Sequence, residues 1–178
     1  MKLLIASDIH GSAKWCKKLL QAFERENAEK LLLLGDILYH GPRNPLPDEY
    51  APQKVAEMLN GVKEKIICVR GNCDSEVDQM VLNFPLTPDY AAVFIDRTRI
   101  YLSHGHREVP PLSAGDVYIT GHTHVPLNVK ESGYYHLNPG SVSLPKEDSG
   151  HGYIVYENGT FYFKTFDGNT YDKAILSF

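Results

Sequence analysis

The sequence predicts an α/β protein, a four-layer α/β/β/α sandwich of two packed mixed sheets flanked by helices. Three observations lead there. A length of 178 residues with 43% hydrophobic and 22% charged content suits one globular domain spanning residues 1–178, with room for a sizeable core. The first half alternates short apolar runs with helical patterns, which is the rhythm of βαβ units and a parallel sheet. After Pro88 the texture changes to short strands joined by tight turns, which calls for a second sheet.

Taken in order, Lys2 to Ser7 reads as a strand and is followed by a helix. Ser12 can cap that helix, and Trp15, Leu19 and Phe23 recur at i, i+4, i+8 along a buried stripe that should end near Asn27. Lys30 to Leu34 reads as the next strand. The stretch from Ile37 to Tyr50 is long for a loop in a compact domain and is a candidate functional segment. A second helix is expected from Pro52, whose missing N–H costs nothing in a first turn, to the stop signal Asn60-Gly61. Lys65 to Val69 is a strand, and Ser75 opens a third helix whose Val77, Met80, Val81 and Phe84 should face inward. The second half supplies strands at Ala91–Ile95, Arg99–Ser103, Val117–Thr120, Leu127–Lys130, Tyr134–Leu137, Tyr153–Tyr156 and Thr160–Thr165, with Asn158-Gly159 as the clearest hairpin turn.

Composition narrows the partners. Eighteen Lys and Arg against 22 Asp and Glu give a net charge of −4, so no global field recruits a polyanion, and no long nucleic acid is expected. No apolar run approaches the roughly 18 residues of a membrane span, and the opening MKLLIASD meets an aspartate too early for a secretory signal. Three cysteines, an odd count in a chain of this size, favour a reducing compartment, so a cytoplasmic protein is expected.

The chemistry lies just beyond the end of each apolar run. Asp8 and His10 come after the first, Asp36 after the second, Asn72 after the third, His104 after a fourth, and His122 and His124 after a fifth. Loops at strand carboxyl ends converge on a crevice, so these seven side chains should meet. Each motif alone is weak. Together they are hard to explain as structure. His122 and His124, at i and i+2, should project to the same side of an extended backbone. Imidazole, carboxylate and amide ligands without a required thiolate suit divalent manganese, iron, zinc, nickel or cobalt rather than a Cys-rich structural zinc site. Seven ligands are too many for one ion that keeps a position open for water. Two ions about 3.5–4 Å apart, bridged by one carboxylate, would share them. With Asp8, Asp36 and a hydroxide, the two ions would leave a net charge of about +1, which matches a phosphodiester monoanion and leaves a monoester dianion open should Arg43 or Arg107 lie nearby.

In order along the chain, Asp8-Ile9-His10, Gly35-Asp36, Gly71-Asn72-Cys73-Asp74, His104-Gly105-His106 and Gly121-His122-Thr123-His124 make the sequence resemble the calcineurin-like metallophosphoesterases. The family pattern is D-x-H, G-D, G-N-H-D/E, H and G-H-x-H. The short length, His40-Gly41-Pro42-Arg43-Asn44, the run from Gly71 to Met80, and Asn138-Pro139-Gly140-Ser141 make it most similar to the small bacterial phosphodiesterases of the YfcE type.

The resemblance implies one metal on Asp8, His10, Asp36 and His124, a second on Asp36, Asn72, His104 and His122, and manganese as the usual ion. It implies a phosphoric diester hydrolase acting on a small phosphodiester through a metal-bridging hydroxide. Asn72, Cys73, Asp74 and His104 are the expected catalytic residues, and Arg43, Asn44, Cys73 and His106 the expected substrate contacts. Two positions depart from the pattern: Cys73 replaces a histidine that can protonate a leaving group, and Tyr39 stands where many relatives have Asp or Asn. A thiol donates poorly, so diesters of easily expelled alcohols are the expected substrates. Asp74, His106 and Asn138 are candidates for orienting ligands, whereas His40, His136 and His151 carry no motif. The competing reading is a protein-interaction scaffold like the retromer subunit related to this family, and exposed hairpins would allow a homo-oligomer.

Overall fold

The computed structural model describes residues 1–95 and 97–176. The strands are β1 (Leu3–Ala6), β2 (Lys30–Leu33), β3 (Ile66–Cys68), β4 (Tyr90–Ile95), β5 (Thr98–Ser103), β6 (Val117–Ile119), β7 (Pro126–Glu131), β8 (Tyr134–Pro139), β9 (Gly152–Glu157), β10 (Thr160–Thr165) and β11 (Thr170–Ile175). The helices are α1 (Ala13–Arg25), α2 (Pro52–Asn60) and the single-turn α3 (Glu76–Gln79).

Two mixed sheets form, as the sequence predicts. One has six strands in the order β11-β10-β9-β1-β2-β3 and the other five in the order β4-β5-β6-β8-β7. The first is parallel over β1-β2-β3, which runs out to one edge, and antiparallel over β9-β10-β11, whereas the second has a parallel centre, β5-β6-β8, with an antiparallel strand at each margin. The second half is therefore less purely a run of hairpins than its turns suggest. Its last three strands cross back to extend the first sheet, and the last of them, β11, has no counterpart in the sequence reading. It is an exposed, mostly polar edge strand without apolar alternation.

Alternation along each strand separates two cores. Leu3, Ile5, Leu32, Leu34, Phe161 and Phe163 of the first sheet meet Ile100, Leu102, Val117, Ile119 and Leu137 of the second. The other face of the first sheet carries Leu4, Ala6, Leu31, Leu33 and Tyr153 against Trp15, Cys16, Leu19 and Phe23 of α1 and Val55 and Leu59 of α2. Ser12 caps α1 by accepting from the Trp15 N–H, and Asn27, with φ 50°, ends its run. Asn158-Gly159, both at positive φ, makes the expected hairpin turn between β9 and β10.

Two details refine that fold. Among the described residues the helices lie over one outer face. The connection from β5 to β6, residues 104–116, runs without helix and anchors to the second sheet through Tyr90 Oη donating to the Glu108 carbonyl and Arg99 donating to Asp116. Pro110-Pro111 in its middle removes two N–H donors that a helix there would need. The third helix is the other detail. Ser75 and Asp78 form the capping box that starts it, but Gln79 then binds Leu82, Phe84 and Leu86 backbone groups and turns the chain after one turn. Phe84 is buried as expected, whereas Val77, Met80 and Val81 are 67%, 82% and 49% exposed.

Candidate metal centre

Every parallel strand that carries a predicted ligand delivers it to the same end of the sandwich. Asp8 and His10 follow β1, Asp36 follows β2, Asn72 follows β3, His104 follows β5, and His122 and His124 follow β6. Asp8, His10, Asp36, His122 and His124 all have left-handed backbone, with φ between 49° and 67°. For a side chain bearing a Cβ that conformation costs roughly 1–2 kcal/mol per residue, and it concentrates where a fold must aim side chains. It also revises the reading of the histidine pair. His122 and His124 converge from a tight loop rather than from extended backbone.

The loops are locked to one another. His10 N–H donates to the Asp36 carbonyl at 2.9 Å, and Ser141 and Ser143 hydroxyls both donate to the Asp8 carbonyl, at 2.9 and 3.1 Å. Asn138 donates to the Gly121 carbonyl at 2.7 Å and accepts from Gly140 N–H, which fixes the loop bearing His122 and His124. The glycines of the motifs are required by contact. A Cβ on Gly71 would collide with the Asp36 carboxylate, and one on Gly121 with the Ser7 hydroxyl and Asp8.

The side chains then meet. Asp8 Oδ1 lies 3.2 Å from His124 Nε2 and 3.5 Å from His10 Nε2, and Asp36 Oδ2 lies 3.7 Å from His10 Nε2 and 3.4 Å from His104 Nε2. Asn72 Oδ1 is 3.1 Å from His104 Nε2, and the His122 ring sits edge-on to His104 with centroids 5.1 Å apart. In three of these imidazoles Nδ1 faces a backbone carbonyl: His10 that of Tyr39 at 2.8 Å, His104 that of Leu34 at 2.6 Å, and His124 that of Leu144 at 2.6 Å. A proton held there leaves the Nε2 lone pair directed at the cluster, the arrangement of a metal-ligating histidine.

The donor set fits divalent cations on its own terms. His10 Nε2 and His124 Nε2 face each other at 3.1 Å, and Asp8 Oδ1 is buried with no hydrogen-bond partner. Converging lone pairs and an orphaned carboxylate oxygen require positive charge, because a buried unpaired anion is costly. Protein charges alone already show this demand. Burial opposes the charged form of His104, yet Asp36 and Asp8 outweigh it and push that imidazole up to about 9. Burial likewise works against ionised Asp8, but His10, His124 and His104 hold it well below the usual carboxylate range.

Asp74 is placed behind the cluster. Its carboxylate accepts from the backbone N–H groups of Asp36, Ile37 and Gly71 at 2.7–2.8 Å, so it positions Asp36 and Gly71 instead of facing a reacting group. Burial, reinforced by the Asp36 charge, raises it to about 6. Cys73 is half-buried, and its N–H donates to Asp36 Oδ1 at 2.8 Å. Burial and the Asp36 charge push its thiol up to about 12, so it is neutral at physiological pH. A cleft of about 460 Å³ over the cluster is lined by Arg43, Asn44, Asn72, Cys73, His122 and His124, with Lys146 as a cation that sequence reasoning did not single out. His106 packs its ring against His104 and His122, with burial and the neighbouring His104 lowering its pKa. His151 stacks on Trp15 and His136 on Tyr118, both away from the cluster. The carbonyls of Tyr39, Leu34 and Leu144 and the hydroxyls of Ser141 and Ser143 had no signal in the sequence beyond the Asn138–Ser141 run.

Two packed sheets with carboxylates, imidazoles and an amide at their shared end define a metallophosphoesterase architecture. The chain belongs to the calcineurin-like phosphoesterase superfamily, whose domain matches residues 1–160. It is 49% identical over 162 residues to phosphodiesterase YfcE of Escherichia coli K12, covering 89% of this chain and 88% of that protein. A phosphodiesterase from Methanocaldococcus jannaschii is 25% identical over 79% of this chain and 83% of its own length. Among solved structures, the E. coli phosphoesterase YfcE superposes with a TM-score of 0.96 at 43% identity, covering 99% of this chain and 100% of that one. Zinc-bound Vps29 of Entamoeba histolytica shares the fold, with a TM-score of 0.67 at 20% identity over 99% and 100% of the two chains.

Proposed function

We propose that the protein is a binuclear metal-dependent phosphodiesterase acting on a small phosphodiester. Asp8, His10, Asp36 and His124 would hold one divalent cation, and Asp36, Asn72, His104 and His122 the other. The pair would supply a hydroxide nucleophile near neutral pH and neutralise charge growing on the phosphoryl oxygens. The observation that carries this reading is the buried, partnerless Asp8 Oδ1 amid the Nε2 atoms of His10, His104 and His124.

The protein's own groups do the rest. Arg43 and Lys146, the cations lining the cleft, can bind and orient the non-bridging oxygens of a monoanion. The cleft has no long basic track, which favours a small ester over a nucleic-acid polymer. Asp74 keeps the Asp36 backbone in place, and Asn138, Ser141 and Ser143 do the same for the other loops. Cys73 offers a neutral thiol beside the cluster, a weak donor that suits diesters whose alcohol leaves without a strong acid.

No helix among the described residues is long and apolar enough to cross a membrane, and Cys16, Cys68 and Cys73 are all free thiols. Both features support a cytoplasmic setting. The test is to strip the protein of metal, reload it with Mn, Zn, Ni or Mg, and assay phosphate monoesters, diesters and cyclic nucleotides. Activated diesters should turn over fastest, with manganese the best activator. A protein that takes up two equivalents of metal yet hydrolyses none of them would overturn the enzyme reading and favour a scaffold.

A further inference from the structure

Beside the metal cleft opens a second, larger cavity of about 740 Å³, within the range of small-ligand sites. Leu38, Tyr39, Tyr50, Pro52, Ala56 and Val81 give it largely apolar walls, and Val77 stands at its lip. Two of the four side chains that helical periodicity assigns to the core, Val77 and Val81, therefore face this space instead. An exposed apolar surface of that kind marks a binding site more often than chance.

The cavity is continuous with the chemistry. Cys73 lines both it and the metal cleft, and its Sγ lies within 4.8 Å of ligand atoms of His10 and Asp36. A phosphoryl group bound at the cluster would thus have this cavity within reach of one ester arm. Charge discriminates between the two spaces. The cleft is lined by Arg43 and Lys146, whereas the ionisable side chains bordering the cavity include Glu57 and Asp78 and no lysine or arginine. It would repel a second phosphate or carboxylate. Its shape is set in advance, because Asn60 of α2 donates to the Val81 carbonyl at 2.8 Å and accepts from Asn83 N–H at 2.7 Å, tying the two walls together.

We propose that this cavity is the subsite for an uncharged aromatic group on the ester arm that stays on phosphorus, opposite the leaving group, with Tyr39, Tyr50 and Val81 as its specificity-determining walls. The inference rests on the phosphodiester reading of the metal cluster. It is tested on metal-loaded protein with two diesters sharing one leaving group, p-nitrophenyl methyl phosphate and p-nitrophenyl phenyl phosphate. The phenyl ester should be favoured roughly tenfold to a hundredfold in kcat/KM, mainly through KM, as expected for burying a ring. Val81→Asp, which puts charge into the wall, and Gln53→Trp, which fills the mouth from an exposed position on α2, should each bring the ratio close to one.

Calorimetric titration with benzyl(methyl)phosphinate and dimethylphosphinate, which cannot be hydrolysed, reads the cavity without turnover. Benzyl preference in binding, lost in both variants, would uphold the subsite even if neither diester were hydrolysed, and in that case the phosphodiesterase reading alone would fall. Equal handling of ring and methyl compounds overturns the proposal. So does a ring preference untouched by both variants. A third overturning result is that the variants change the sedimentation coefficient while the ratio stays put, which would make this face a contact between copies of the chain.

Discussion

The parallel and the antiparallel parts of the two sheets divide the labour of this molecule. The parallel strands β1, β2, β3, β5 and β6 end in every predicted ligand, and β8 ends in the Asn138–Ser143 stretch that clamps two of the ligand loops. The antiparallel strands β9, β10 and β11 carry no ligand but supply Tyr156, Phe161 and Phe163 to the buried layer between the sheets. Parallel strands leave their carboxyl ends together on one edge, so they can pool ligands, whereas an antiparallel pair sends its ends to opposite edges. Catalysis and bulk stability should therefore respond to different substitutions.

Asp36→Asn is the strongest test of that division. Asp36 stands within reach of both His10 and His104, so loss of its charge should lower kcat/KM for an activated diester by about a thousandfold or more, equivalent to about 4 kcal/mol. The urea midpoint of the metal-free protein should fall by far less than a core truncation lowers it, because what is lost is the pairing of the Asp36 charge with His104 and the Cys73 N–H. Phe161→Ala tests the other side. It should cost about 3–5 kcal/mol of stability by urea unfolding while leaving kcat of the folded fraction unchanged. A large kcat loss there would break the division.

Asp74→Asn should sharpen it. Asp74 carries no expected metal contact but holds the Asp36 backbone, so metal affinity should weaken about 10–100-fold by competitive chelator titration, with the far-ultraviolet spectrum intact. Cys73→His should raise turnover of diesters with poor leaving groups by about tenfold, or about 1.4 kcal/mol, relative to good ones. A flat ratio would remove position 73 from the leaving-group account.

The smallest effect lies among the antiparallel strands. Burial works against ionised Glu26, but Lys164 and Tyr153, which bond it at 2.6 and 2.9 Å, and Lys2 hold its carboxyl below the ordinary range. A depressed folded-state pKa contributes stability above the unfolded value and loses it as pH falls through the folded one. Glu26→Gln should thus cost about 1 kcal/mol at pH 7, and the gap should narrow as the pH falls below the ordinary glutamate value of about 4.3.

The centre of the molecule was legible in the sequence because its signals are local. A run such as LLLLG followed by Asp36 names both a buried strand and the residue at its end, and the convergence of such ends follows from parallel topology. What stayed hidden depends on distant partners. The Ser141 and Ser143 hydroxyls hold Asp8 across more than 130 positions of chain, and no periodicity announces that. Val77, Met80 and Val81 obey the spacing of a buried helical face, but Gln79 ends the helix first through bonds to backbone groups beyond it. β11 lacks the apolar alternation that marks a strand, since it borders solvent on most of its length. The left-handed backbone of the ligand positions was also beyond reach, because no local turn signal of the Asn158-Gly159 kind marks Asp8, His10, Asp36, His122 or His124.

The three imidazoles whose ring orientation is fixed by main-chain carbonyls carry one more consequence. Their aim is set by main-chain acceptors that the fold itself supplies. Were the proposed ions stripped by a chelator, these bonds should keep the three rings aimed, so that reloading needs no refolding, and an unchanged far-ultraviolet spectrum through the cycle would check this.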